Sequence, residues 1–451
     1  MPSAPSAHAA PPHSASPPRV AVLADSDTRW KWGALTAHRL APGAGLDGFL
    51  LRGRATPTRR QLTEVGVRAD ALREVTAAEF TAAAGRPPYD VVLLACVGGT
   101  VQAMLHALAR AWTGAERRPV VVTGYVGVVY EKLADGLLLR HGADVVLANS
   151  RHDAERFRAV YEGVGAPADG VTECALPFLG GRPYEPAPRE VRPYTVVFAA
   201  QPSVPESRAD RLYLLRRAAG HARAHPGRDV LIKLRSKPGE HTTHIEEHPY
   251  QKLATRLPGG LPANCRLVYG NMGAVLDRTD LLVTVSSTAA LEALHRAVPT
   301  AVLTDLGIRE RLGNHHFLGS GCLTSWDHLD AGRLPKAEPE WLARQGVAAD
   351  RPYERAFDAA RRRVADLVAR DRLPPPSPYY TPETAPGYLP AVLARHGFAP
   401  DGRPLPGRAA PPPGRSALRR AGRDVLRGAA RGAYRHGVQR VAPVIRRMGE
   451  L

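Results

Sequence analysis

Asp280-Leu281-Leu282-Val283-Thr284-Val285-Ser286-Ser287-Thr288-Ala289-Ala290-Leu291-Glu292-Ala293-Leu294 decides how the rest of the chain is read. A short unbroken apolar run meets three hydroxyls and then an apolar stretch with helical period. That is the pattern of a strand buried on both faces, a turn and a helix. Strands of this kind belong to parallel sheets covered by helices on both sides. Upstream, Val230-Leu231-Ile232-Lys233-Leu234-Arg235 is a second apolar run ending in cations, followed by Ser236-Lys237. In a parallel α/β sheet, ligands sit outside the carboxyl ends of the strands. Helix starts at such ends offer N–H groups and partial positive charge to phosphate. Lys233, Arg235 and Lys237 with Ser286, Ser287 and Thr288 therefore describe a site for a phosphorylated ligand.

The same alternation runs outward in both directions. Strands are expected at 19–24, 48–51, 90–97, 119–123 and 144–148, then at 194–200, 230–234, 266–268, 281–285 and 300–303, with helical patterns between most of them. Residues 176–193 are rich in Pro and Gly and read as a linker. A chain of 451 residues suits two doubly wound domains, each with its own core. The expected division is a disordered Pro-, Ala- and Ser-rich tail at 1–18, a first Rossmann-like domain at 19–185 and a second at 192–372. A helical segment at 373–400 is expected to pack back on the body, and 401–451 to form a basic tail.

The formal net charge is +18, and the last 51 residues hold twelve Arg against three acids. Half of the excess thus sits in the tail, which points to an anionic partner of the tail rather than of the body. Two amphipathic pieces with arginine faces, 415–431 and 434–448, suit peripheral contact with an anionic membrane. Aromatic residues are not interleaved there for base stacking, so nucleic acid is not expected as a partner. No apolar run is long enough to cross a bilayer, and the N-terminus lacks the charge and apolar segments of a signal peptide. The four scattered cysteines have no zinc or redox spacing. A reducing cytoplasm is the expected compartment.

Other residues invite chemistry. Asp25-Ser26-Asp27 follows the first strand, so Asp25 and Asp27 are candidates for a general base; one of them capping the following helix is the plainer alternative. Trp30 and Trp32 either stack on a ligand or pack internally. Gly98-Gly99 and Gly124 mark two further strand-end turns. His241, His244, Glu246, Glu247 and His248 crowd the loop after the Lys233 strand. Zinc is disfavoured there by the flanking cations.

Two successive doubly wound domains with a phosphate site in the second resemble the GT-B glycosyltransferase fold. Residues 140–150 with Asp153 look like the end of a GT-B first domain. Ser286 through Leu294, with Val298-Pro299-Thr300, is similar to the donor-site turn and helix of such enzymes. The resemblance implies that the hydroxyl turn holds donor phosphate and that Glu292 reaches a ribose or the sugar. It also implies that His244 or His248 contacts the leaving phosphate, with Glu246 or Glu247 on the ribose. It further implies that Trp30, Trp32, Gly98, Gly99 and Gly124 lie on the acceptor side, the two Trp stacking on a sugar face unless they pack internally. The body from Arg19 to Gly397 resembles an actinobacterial family of glycosyltransferases. A more distant likeness is to bacterial sialyltransferases and polysialyltransferases, whose His-Pro and Ser-Ser/Thr motifs match His248-Pro249 and Ser286-Ser287-Thr288. Their paired-acid motif is absent; Asp25-Ser26-Asp27 is a loose substitute.

What this implies is a nucleotide-sugar donor, a glycan or lipid-linked acceptor, and neither a bound cofactor nor a metal, since fixed cations can stabilise the leaving phosphate. A teichoic-acid-type polyol-phosphate transferase, a nucleotide-sugar 2-epimerase and a non-catalytic binding module remain open alternatives.

Overall fold

The computed structural model describes residues 17–406 apart from 54, 87, 129, 131, 189, 238–239, 241–245 and 348–351. His244, the N-terminal tail through residue 16 and the arginine-rich segments after Pro406 thus lie outside the described residues.

The first sheet is parallel and seven-stranded. Its strands are β1 (Arg19–Ala24), β2 (Gly45–Leu51), β3 (Ala71–Val75), β4 (Val91–Ala95), β5 (Val120–Gly124), β6 (Val145–Ala148) and β7 (Val171–Glu173), in the order β3-β2-β1-β4-β5-β6-β7. Its helices are α1 (Asp27–Leu40), α2 (Arg59–Val65), α3 (Ala77–Ala84), α4 (Gly98–Ala111), α5 (Leu133–Leu138) and α6 (Arg151–Gly163). The second sheet is also parallel and contains β8 (Tyr194–Ala199), β9 (Arg228–Lys233), β10 (Cys265–Val268), β11 (Leu281–Thr284), β12 (Thr300–Leu303) and β13 (Leu323–Thr324), in the order β10-β9-β8-β11-β12-β13. It carries α7 (Arg208–Ala224), α8 (Tyr250–Ala254), α9 (Met272–Leu276), α10 (Ala289–His295), α11 (Trp326–Asp330) and α12 (Pro339–Arg344).

Burial on both faces explains why the central strands are largely apolar. In β1, Ala21 and Leu23 enter the core on one face while Val20, Val22 and Ala24 enter the core on the other. In β11, Leu281 and Val283 face one way and Leu282 the other. Both faces are dry, so neither position tolerates a polar residue. Strand order reverses between β1 and β4 and again between β8 and β11. At such switch points the flanking crossovers leave to opposite sides and open a crevice. The two crevices face one another.

Two features depart from the expected domain division. After the second sheet the chain returns to the first domain: Phe357, and Ala360, Val364 and Leu367 of α13 (Asp358–Val368), join the same core as Val22 and Trp32. Residues up to 372 are therefore not all part of the second domain. Helix α14 (Tyr388–Arg395) then packs on α4, and Phe398 is completely buried in the core on the sheet's other face, with Ala21 and Leu23. Leu405 donates to the carbonyl of Gly397, and Gly402 lies close against the carbonyl of His106. The folded body thus continues past 400.

Candidate functional site

The cleft between the two switch points has a volume of about 490 Å³. Its first-domain bank includes Asp27, Thr28, Lys31, Glu64, Tyr125 and Gly127. Its second-domain bank includes Lys233, Arg235, Ser287, Thr288, Glu292 and Arg311.

Lys233 is the last residue of β9, in a sheet interior that forces its stem inward; it is 8 % exposed. Its Nζ donates to the Leu234 carbonyl at 2.8 Å. Burial pushes its pKa down to about 8, against an opposing pull from Glu64. Arg235, two residues on, leaves the strand and crosses the cleft. Its Nη2 donates to Asp27 Oδ1 at 2.7 Å and also meets the Thr28 hydroxyl. A second cross-cleft pair lies deeper, with Lys31 Nζ 3.7 Å from Glu292 Oε2. Glu292 is 6 % exposed, and burial raises its pKa while Lys31 pulls it down.

The hydroxyl turn divides its labour. Ser286 is buried: its Oγ donates to the Leu312 carbonyl at 2.5 Å, and its N–H donates to Gln201 Oε1 at 3.0 Å. It clips the β11 turn to neighbouring loops. Ser287 Oγ accepts from the Ala289 N–H at 3.2 Å, and Thr288 begins α10 without a side-chain cap bond.

Asp25 and Asp27 part company. Asp25 Oδ2 accepts from the Val97 N–H at 2.9 Å and Oδ1 from Arg29 Nη1 at 3.1 Å. Asp25 therefore ties the end of β1 to the end of β4, and it is not among the cleft-lining residues. Neither acid caps α1: Ser26 does, its hydroxyl accepting from the Arg29 N–H. Only Asp27 reaches the cleft.

The aromatic and glycine expectations are corrected. Trp30 and Trp32 are each 1 % exposed and belong to the first-domain core. No sugar can reach them. Gly124 is glycine because a Cβ there would lie 2.9 Å from the Trp32 ring, and at Gly98 one would lie 2.8 Å from Leu139. Both positions, and Gly99, lie outside the cleft lining. Lys237, Glu247 and His248 do not line it either. Glu246, their neighbour, pairs with the buried Arg211.

Four cleft residues lacked a readable signal or were passed over. Lys31 shares a helix face with Asp27, four residues away, and could have been found from that spacing. Glu64, Tyr125 and Arg311 come from separate loops and helices that only the fold assembles.

Among the described residues, one group of three potential metal ligands exists, His221, His225 and Asp330. It lies between α7 and α11, away from the cleft. His221 Nδ1 is 2.6 Å from Asp330 Oδ1, with Arg228 3.2 Å from its other nitrogen and Arg217 3.0 Å from Asp330. Two guanidiniums on one cluster oppose a dication.

Residues 20–367 match the family described as "Putative glycosyltransferase (DUF6716)". The chain belongs to that family. Its two Rossmann-like domains facing a cleft are the GT-B arrangement. Solved structures similar to it include a UDP-glucosyltransferase from Polygonum tinctorium, at 13 % identity and a TM-score of 0.48 over 78 % of this chain and 99 % of that one. A UDP-GlcNAc 2-epimerase from Neisseria meningitidis, bound to UDP-GlcNAc, is 12 % identical with a TM-score of 0.46 over 78 % of this chain and 100 % of that one. The glycotransferase of kitacinnamycin is 14 % identical with a TM-score of 0.42 over 78 % and 96 %. No curated protein sequence matches the chain.

Proposed function

We propose that this glycosyltransferase-family chain moves a sugar from a nucleotide-activated donor to a cell-surface polysaccharide or lipid-linked glycan, with protein cations in place of a metal. One observation carries the reading: Lys233 and Arg235, from one strand end, face Asp27 across an interdomain cleft large enough for a nucleotide sugar. The donor's phosphates accept from Lys233, Arg235 and the Ser287-Thr288 turn. Charge building on the leaving phosphate is stabilised by those fixed groups. Glu292, buried beside Lys31, accepts from a ribose or sugar hydroxyl. Arg235 holds Asp27. A phosphate that takes over Arg235 frees the Asp27 carboxylate to act as base toward an acceptor hydroxyl.

The test has two stages. A thermal-shift screen of the full chain against UDP, GDP, CDP, dTDP and CMP finds the nucleotide, since a ligand of the native state stabilises it by mass action. Turnover is then followed with the matching nucleotide sugars and candidate acceptors, with and without chelator. Acceptor-dependent release of nucleotide that survives chelator, and falls about 100-fold or more in Asp27→Asn, is expected. An altered sugar nucleotide released without acceptor, or an Asp27→Asn variant at full rate, overturns this reading.

We also propose, from sequence alone, that the arginine-rich segment after Pro406 holds the enzyme at the inner face of an anionic membrane. Among the described residues no helix is long and apolar enough to cross one. Truncation after Pro406 should keep the body folded and abolish salt-sensitive co-sedimentation with anionic vesicles; equal sedimentation of both forms would refute it.

A further inference from the structure

A second pocket lies along the same interdomain seam, toward the β6 and β12 side of the two sheets. It has a volume of about 390 Å³. It adjoins the donor cleft in sequence on both banks: Gly127 lines the cleft and Val128 the pocket, while Leu312 and Gly313 line the cleft and His315 and His316 the pocket.

The lining has three kinds of group. Arg156 and Arg344 supply charge, and no carboxylate lines the pocket among the described residues. Glu155, outside the lining, touches Arg344 only at 3.5 Å. His315 Nδ1 and His316 Nε2 are buried without a hydrogen-bond partner. Burial, with His152 and Arg156 nearby, pushes the His316 pKa down to about 4, so its ring is neutral and can both donate and accept. Trp341, stacked on Phe317 with ring centroids 5.6 Å apart, gives an apolar wall. Paired guanidiniums suit a carboxylate or phosphate. Imidazole nitrogens with unmet hydrogen bonds suit hydroxyls, since buried polar groups in a native protein rarely stay unpaired.

We propose that this pocket is an acceptor subsite for a hexose carrying an anionic substituent, a carboxylate or a phosphate ester. The acceptor role rests on the glycosyl-transfer reading above. The pocket seats the acceptor glycan beside the donor cleft, its anionic group on Arg156 and Arg344 and its hydroxyls on His315 and His316.

The experiment reads binding without turnover, so it can fail or succeed independently of the transferase reading. The full chain is titrated calorimetrically with glucuronate, glucose 6-phosphate, glucose and inorganic phosphate. At least one anionic hexose is expected to bind about tenfold or more tighter than both glucose and inorganic phosphate, as charged hydrogen bonds added to sugar contacts would give. Which of the two wins tells carboxylate from phosphate. The Arg156→Gln/Arg344→Gln double variant should lose that tenfold preference while keeping its fold, because both side chains are exposed. Arg235→Gln should leave the preference intact. Absence of saturable binding at millimolar concentrations, equal binding of glucose or of inorganic phosphate, or a preference lost in Arg235→Gln but kept in the double variant would each overturn the proposal. Binding of the anionic hexose by a chain that transfers no sugar would leave the pocket standing and remove the transferase reading instead.

Discussion

The two banks of the cleft place their polar groups differently. On the first bank most of them turn inward. Asp25 joins β1 to β4, and Arg140, buried under Tyr125, donates to the carbonyls of Gly124, Gly136 and Cys96. On the second bank Arg235 crosses the gap, Ser287 and Thr288 line it, and among the described residues Lys233 donates to its neighbour's carbonyl. The strand ends of the first domain are therefore closed and self-satisfied. Those of the second hold charge that a ligand can neutralise. The proposed site for the donor's phosphates is therefore the second bank, and the first is a wall from which Asp27 alone of the Asp25–Asp27 pair reaches the cleft.

The sharpest way to break this contrast is Arg140→Met. It would leave three buried carbonyls without their donor and should cost about 3–5 kcal/mol of stability, read by chemical denaturation. A loss under about 1 kcal/mol would mean that the first bank does not depend on this internal clamp. Next in size, Arg235→Gln on the second bank should spare stability but weaken nucleotide diphosphate binding by roughly 1.5–3 kcal/mol, or more than tenfold. Unchanged affinity in the folded variant would remove the donor from this bank.

A pH titration sharpens the same point. With its pKa held down to about 8, Lys233 is charged below that pH and neutral above it. Nucleotide diphosphate affinity should fall about tenfold between about pH 7 and 9, and Lys233→Arg should flatten the profile. Folding stability should move the opposite way. The unfolded lysine keeps its proton to higher pH, so stability rises from about 8 toward the ordinary lysine value. A flat affinity profile in the wild type would take Lys233 away from the phosphate. The smallest effect separates two adjacent serines. Ser286→Ala should lose about 1 kcal/mol of stability with nucleotide affinity nearly unchanged, because its hydroxyl serves Leu312. Ser287→Ala should weaken nucleotide binding a few-fold at little cost in stability. The reverse pattern would exchange their roles.

Most of the fold was legible because buried parallel strands need apolar residues on both faces. Runs such as Val91–Ala95 and Leu281–Thr284 admit few other readings. The missed strands were short edges. Ala71–Val75 has three exposed positions out of five and two charged residues, and Leu323–Thr324 is only two residues long. An edge strand has one neighbour and an open side, so its composition drifts toward that of a loop.

For the site, the sequence alone determined that cations end one strand, that hydroxyls end another, and that both ends lie at the same edge of a parallel sheet. These are local facts, set by residue type and by period two. It could not determine which groups remain open to the cleft. Asp25 and Asp27 are two residues apart and chemically identical, yet one is tied to Val97 and the other reaches Arg235. Trp30 and Trp32 look available in a string of letters and are sealed by the sheet below them. Lys31 meets Glu292, and Arg156 meets the pocket of His316, across distances of hundreds of residues. Only tertiary structure decided these, because pairing and burial depend on which surfaces the two domains bring face to face.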